Sequence, residues 1–99
     1  MLNLKVIEIA SVLAGPAVGQ FFTELGAEVI KIENATTNGD MTRKWKNPNE
    51  KHNKNVSAYF ASVNFGKTHL FYDLNSTQGY SDTIDLIKEA DIVVCNFKI

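Results

Sequence analysis

The chain has 99 residues, with 10 Lys and Arg against 11 Asp and Glu, a net charge of −1 and 44% hydrophobic residues. This composition is typical of one soluble globular domain, and it excludes disorder and argues against a nucleic-acid partner. The single Cys95 cannot form an internal disulfide, so the predicted compartment is the cytoplasm. The longest apolar stretch, 7–22, contains Glu8 and Gly15-Pro16 and is too short to span a bilayer, so no membrane contact is expected.

The first third of the chain predicts a βαβ unit. Residues 4–10 form a short apolar run rich in β-branched side chains, which favours a strand. Pro16 suits the first position of a helix, which we expect to run over 16–25 and to end at Gly26. A second strand follows over 27–33. Because the two strands are joined through a helix, they are expected to be parallel, with a right-handed crossover.

Apolar periodicity disappears between residues 34 and 55, which predicts a loop of about 22 residues. A loop this long in a compact domain is usually either functional or disordered. After it, Ser57 can cap a short helix over 58–63.

The last third repeats the strand, helix, strand order. We expect a strand over 69–74, a helix capped by Ser76 or Thr77 that reaches Glu89, and a strand over 92–96. The predicted fold class is therefore α/β, an open Rossmann-like parallel sheet built from two βαβ units. Such a sheet needs helices over both faces, and only two substantial ones are visible, so we expect an incomplete N-terminal part of a larger domain.

The turn over 14–20 is a candidate binding edge, because open α/β sheets bind ligands at the carboxyl ends of their strands. Gly15 would let a ligand approach the backbone; alternatively it only helps turn the chain, and Gly19 lets the helix pack closely on the sheet. Glu33 lies 18 residues after Gly15, near where a dinucleotide-binding fold places its ribose-binding acid. However, the two glycines do not form G-x-G-x-x-G, and Pro16 removes an N–H, so an NAD site is disfavoured.

A cationic run follows in the long loop, with a local charge of +4 between residues 43 and 54 once Glu50 is included. Its cations are Arg43, Lys44, Lys46, Lys51 and Lys54. Such a run is usually solvated, but it could also attract the phosphates of a cofactor or, with Trp45 stacking on a base, nucleic acid.

Nucleophilic and metal chemistry find little support in the sequence. Cys95 lies in an apolar strand, which predicts a buried and unreactive thiol. His52 and His69 have no spacing that pairs either with Cys95 or forms a metal site, so no metal is predicted.

Taken together, six collinear blocks resemble the N-terminus of class III CoA-transferases of the CaiB/BaiF type. They are 4–9 with 12–16, 25–33, 39–43, 57–60, 64–67 with 73–74, and 90–97. The resemblance implies that residues 1–99 are the Rossmann-like, CoA-binding N-terminal portion of an enzyme that moves CoA between an acyl-CoA and a carboxylic acid.

Carried over by position, the resemblance also implies the residues that contact coenzyme A. They are Leu13, Ala14, Tyr72, Asp73, Leu74, Asn75, Asn96, Phe97 and Lys98. Two positions depart from the family's pattern, since many relatives have a cation at the position of Asn34 and some have a Lys at that of Asn75.

The catalytic Asp of the family falls beyond residue 99, so no residue here is assigned a catalytic role and the chain alone is expected to be inactive. Family members are homodimers of interlocked subunits, which implies self-association. Two alternatives stay open: part of an acyl-CoA racemase, or a non-catalytic nucleotide-binding or interaction module.

Overall fold

A computed structural model describes residues 3–51 and 54–96. Its sheet has four strands, and every pair of neighbours is parallel. The strands are β1 Lys5–Ile9, β2 Glu28–Asn34, β3 Thr68–Tyr72 and β4 Ile92–Cys95. Their order across the sheet is β3-β2-β1-β4. The predicted open, parallel α/β sheet is therefore confirmed.

Within the described ranges, three α-helices accompany the sheet: α1 Ala14–Glu24, α2 Ala58–Ser62 and α3 Thr77–Lys88. The unit β1-α1-β2 joins neighbouring strands, whereas β3-α3-β4 crosses the whole sheet because β3 and β4 are its two edges. From β1 the chain adds β2 and β3 on one side, and it then adds β4 on the other side of β1. Open α/β sheets bind ligands beside such a reversal of strand order. No helix in the part of the chain that the structure describes is long and apolar enough to cross a membrane.

The ends of the helices follow local sequence signals. The Ser57 side chain caps α2 by accepting from the N–H of Phe60, as predicted, and of the two candidates for α3 Ser76 is the cap, accepting from the N–H of Gly79. Helix α1 begins at Ala14, two residues before the predicted start. Pro16 is then the third helical residue, and its missing N–H still costs nothing because the first four N–H groups of a helix have no partner within it.

The two faces of the sheet differ in chemistry. On the α3 side, Ile7, Ile30 and Ile32 form an apolar cluster with residues of α3. On the α1 side, Val6 and Val29 are apolar, but the next residues on that face, Glu8 and Lys31, are charged and fully buried. Because side chains alternate along a strand, both charges face the same layer.

The long loop is more ordered than expected. It contains 3-10 turns at Ala35–Thr37 and Met41–Lys44, and the Asp40 side chain caps the second by accepting from the N–H of Thr42. Arg43 of this turn is buried. The predicted loop is present, and in this segment polar caps and a buried ion pair stabilise it in place of apolar periodicity.

The prediction that Cys95 is buried was also wrong, since its side chain is exposed. Ile92 and Val94 of β4 pack on the α1 side, next to Val6, and the alternate residues Val93 and Cys95 face the other side. Helix α3 packs over β1, β2 and β3, and Val93 remains 42% exposed. An apolar strand at a sheet edge thus buries only one of its two faces.

Candidate functional site

A cavity of about 580 Å³ opens at the carboxyl ends of the strands. This volume is in the range of small-molecule sites. Its apolar lining comes from the strand ends and from Met41, and its polar lining comes mainly from the segments that follow. The lining residues are Ile9, Ala10, Ser11, Ile32, Glu33, Asn34, Thr37, Gly39, Asp40, Met41, Lys44, Tyr72, Asp73, Leu74, Asn75 and Asn96.

The structure brings five of the nine expected contact residues to this cavity. Tyr72, Asp73, Leu74 and Asn75 line it after β3, and Asn96 lines it after β4. Leu13 and Ala14 are exposed at the start of α1 and are not part of the lining. Phe97 and Lys98 lie outside the described residues, as does His52.

Several lining residues were not expected as contacts, and about half of them come from the long loop that follows β2. Thr37 carries no signal that separates it from its neighbours in the sequence, and Gly39 and Met41 belong to block 39–43 of the family resemblance, from which no contact was expected. Lys44 does carry one, since it belongs to the cationic run. It is exposed, and it is the only cation among the lining residues that the structure describes.

Asn96 joins the ends of β4 and β1. Its Nδ2 donates to the carbonyl of Ser11 at 2.9 Å, and its Oδ1 accepts from the N–H of Ser11 at 3.3 Å. The start of α1 lies beside it, so Ala14 and Asn96 share one end of the sheet.

The two glycines of the turn serve packing inside the fold. A Cβ at Gly15 would overlap the Cβ of Ala10, and a Cβ at Gly19 would overlap Oε1 of Glu8. The interpretation of Gly19 as a close-packing residue is therefore confirmed. The alternative in which Gly15 opens the backbone to a ligand was wrong, because Ala10 occupies the space beside it.

Glu33 is the centre of one buried ion cluster. Arg43 donates from Nε to Oε1 at 2.7 Å and from Nη2 to Oε2 at 2.6 Å, and His69 Nδ1 lies 3.0 Å from Oε2. The Asp40 N–H adds a fourth contact at 2.8 Å. Burial by itself would raise the pKa of Glu33, but these hydrogen bonds and the Arg43 charge outweigh it and lower the pKa to about 2. Both oxygens are occupied, so Glu33 does not present the free carboxylate that a ribose-binding acid requires.

Arg43, one of the loop cations, is therefore an internal group and not a solvated charge. Its guanidinium carbon lies 3.9 Å from the ring centroid of Phe60 and 5.3 Å from that of Phe71, in cation–π contact. Lys46 also serves the loop itself, because its Nζ donates to the carbonyls of Lys51 and Lys54. Of these three cations, only Lys44 faces the cavity.

A second buried cluster, hereafter the Glu8 cluster, consists of Glu8, Lys31, Asp40 and Lys67. Glu8 accepts from Lys31 at 2.7 Å and from Lys67 at 2.6 Å, and Lys31 Nζ lies 3.1 Å from Asp40 Oδ2. Two carboxylates thus balance two ammonium groups. Burial lowers the pKa of Lys67, although the hydrogen bond and charge of Glu8 act in the opposite direction.

The cavity can bind a ligand, but its acidic residues already have structural partners. Glu33 and Asp40 are held in the two ion clusters, and Asp73 Oδ1 accepts from the N–H of Asn75 at 3.0 Å. Within residues 3–51 and 54–96, no group of three His, Cys, Asp or Glu side chains could hold a metal ion. The described lining is that of a candidate binding site with one cation, Lys44, at its rim.

Comparison with known proteins identifies relatives of the whole chain. The family model described as CoA-transferase family III matches residues 1–99. A protein of Agrobacterium fabrum named succinate–glutarate CoA-transferase is 42% identical over 97% of this chain. A Fusarium pseudograminearum protein named acyl-CoA transferase has the same identity and coverage of this chain.

Solved structures agree with this match. The crystal structure of a CaiB/BaiF family protein from Brucella suis superposes with a TM-score of 0.87, at 43% identity over 96% of this chain. The chain spans 25% of that protein, and 24% and 22% of the Agrobacterium and Fusarium relatives. The similarity is thus to about a quarter of each relative's length.

Proposed function

The chain belongs to CoA-transferase family III, and on that premise we propose that residues 1–99 are the CoA-binding N-terminal portion of an enzyme that moves CoA between an acyl-CoA and a carboxylic acid. The observation that carries this proposal is the cavity at the carboxyl ends of the strands, which five of the residues matched to the family's CoA contacts line. The proposed reaction uses coenzyme A as acyl carrier and requires no metal ion.

The chemistry of the lining suits a ligand that is partly apolar and partly anionic. Ile9, Ile32 and Leu74 offer apolar surface, and Tyr72 adds an aromatic ring. Lys44 at the rim supplies positive charge for a phosphate group. These features support coenzyme A, which combines an adenine ring, phosphates and a pantetheine arm.

Calorimetric titration of coenzyme A into the 99-residue chain tests the proposal. We expect one binding site per chain, with an affinity that falls about fivefold in Lys44→Ala because one charge-assisted contact is lost. The matched control is Lys88→Ala, which removes an exposed cation at the carboxyl end of α3 and should leave the affinity unchanged. A folded chain that takes up no coenzyme A would contradict the proposal.

For the whole enzyme, we propose that the catalytic Asp lies beyond residue 99. The carboxylates that line the cavity support this, because Glu33 and Asp40 are bound in ion clusters and Asp73 accepts a backbone hydrogen bond. The purified 99-residue chain should therefore show no CoA transfer between an acyl-CoA and a carboxylate. Measurable transfer would refute this assignment.

The reaction type is proposed from the relatives. Those from Agrobacterium and from Fusarium carry transferase names, which favours transfer over racemisation and over a non-catalytic module. The proposed compartment is the cytoplasm, because its reducing environment keeps a lone thiol such as Cys95 reduced.

We also propose that the chain self-associates as a homodimer. Val18 and Phe21 of α1 and Leu25, which follows its last residue, are spaced by three and four residues, and each is between 44% and 57% exposed. Neighbouring apolar side chains at such exposure favour contact with a second copy. Sedimentation velocity should show dimers at high concentration, and a clean monomer would contradict the proposal.

A further inference from the structure

The loop between β1 and α1, residues 10–13, is backbone-strained. Val12 has φ +72°, in the left-handed region. A β-branched residue is rare there, because its side chain crowds the backbone. Such a conformation persists only where surrounding contacts hold it, and strained residues tend to occur at functional sites. The cavity begins at this loop, since Ala10 and Ser11 line it.

The contacts that hold the loop come largely from the Glu8 cluster. Lys31 Nζ donates to the carbonyl of Ala10 at 2.7 Å, and Asp40 Oδ2 accepts from the N–H of Val12 at 3.3 Å. Lys67 Nζ donates to the carbonyl of Pro16, in the first turn of α1, at 2.9 Å. Each contact joins a buried charge to the backbone of residues 10–16.

The same charges connect two walls of the cavity. Asp40 belongs to the long loop and itself lines the cavity, while Ala10 and Ser11 line it from the end of β1. Lys31 contacts both walls, because it lies 3.1 Å from Asp40 Oδ2 and donates to Ala10. Its own position is fixed by β2 and by Glu8. A buried charge cluster is seldom more stable than apolar side chains of the same volume. Stability alone therefore does not account for this cluster, and a positioning role does.

We propose that Lys31 and Asp40 are positioning residues that hold the β1–α1 loop in its strained conformation, while Lys67 holds the first turn of α1 beside it, and that they so shape the cavity before its ligand arrives. A loop ordered in advance loses less entropy on binding. The inference rests on the proposed function insofar as it takes coenzyme A as that ligand.

Asp40→Asn is the most selective test. The amide keeps one oxygen to accept from the N–H of Thr42, which caps the 3-10 turn. It loses the second acceptor, Oδ2, which contacts Lys31 at 3.1 Å and shares the N–H of Val12 with Oδ1, so that N–H keeps only its longer contact to Oδ1 at 3.4 Å. We expect hydrogen exchange at the amides of residues 11–13 to become faster while β1 and β2 stay protected. The affinity for coenzyme A should fall about tenfold.

Val29→Ala is the matched control, because it weakens the core near the amino end of β2 without touching the loop. It should lower stability but leave both the loop exchange and the affinity unchanged. The inference is overturned if Asp40→Asn keeps its loop amides protected, if it binds coenzyme A like the wild type, or if Val29→Ala weakens binding by the same factor. If the wild type itself binds no coenzyme A, the proposed function fails, and hydrogen exchange alone decides whether Asp40 holds the loop.

Discussion

Replacing Glu33 with Gln should destabilise the fold, because it removes the negative charge from a buried ion cluster. The carboxylate accepts two hydrogen bonds from Arg43, one at each oxygen, and contacts His69 Nδ1 at 3.0 Å. A glutamine side chain can still accept with one oxygen. Its NH₂ group, however, would face the N–H donors of Arg43 or the ring of His69, and the buried guanidinium would lose its counter-charge.

The size of the effect follows from the proton affinity of Glu33. Its pKa falls from 4.5 to about 2, since the hydrogen bonds and the Arg43 charge outweigh the cost of burial. Each tenfold change in proton affinity corresponds to about 1.4 kcal/mol, so the ionised carboxylate stabilises the folded state by about 3 kcal/mol near neutral pH. Loss of one partner from a buried ion pair costs a similar amount, about 3–5 kcal/mol.

The same pKa predicts how stability depends on pH. Because the pKa of Glu33 is lower in the folded state, its contribution is complete above the unfolded value of 4.5 and is lost as pH falls toward about 2. Urea titrations followed by circular dichroism measure the free energy of unfolding at each of two conditions, about pH 7 and about pH 3. The wild type should lose more stability between these two conditions than Glu33→Gln does.

Glu28→Gln provides the control, since Glu28 is an exposed residue of the same strand. It should change the free energy of unfolding by less than about 0.5 kcal/mol. The reasoning would be refuted if Glu33→Gln cost less than about 1 kcal/mol near neutral pH, or if both variants lost the same stability on acidification.

Three further substitutions test other parts of the structure. Val12→Gly should raise the free energy of unfolding, measured by urea titration, by about 1 kcal/mol, because glycine tolerates a φ of +72°. Asn38→Gly, at φ +58°, is its control and should change that free energy little, because asparagine already tolerates this conformation. Gly19→Ala should lower it by about 1–3 kcal/mol, since the methyl group would overlap Glu8, and an unchanged melting temperature would show that α1 shifts freely. Asn75→Lys adds a second cation to the cavity lining and should tighten coenzyme A binding about threefold, an effect that added salt weakens in calorimetry.

Local sequence signals predicted the elements of the fold well. Ser57 and Ser76 marked the starts of α2 and α3, because a serine at the N-cap accepts a hydrogen bond from the first turn whatever the rest of the fold does. Strand runs joined by helices likewise indicated a parallel sheet. These features depend on neighbours in the chain, so the sequence contains them.

The candidate site was predicted only in part. The segment from Tyr72 to Asn75 and Asn96 follow strands directly, and the carboxyl ends of parallel strands share one edge. Lys44 and Met41 lie in the long loop, whose path across that edge depends on Arg43 reaching Glu33. The spacing between Glu33 and Arg43 in the sequence does not predict that contact.

By itself, the sequence determined the alternation of strands and helices, the sheet edge at which the cavity opens, and the family resemblance. Tertiary structure alone decided which charges are internal. Glu8 and Lys31 lie 23 residues apart, and only parallel pairing of β1 with β2 brings their side chains together on one face. The exposure of Cys95 was also decided by the tertiary structure. Whether a face of a strand is buried depends on what packs against that face and not on the strand's own composition.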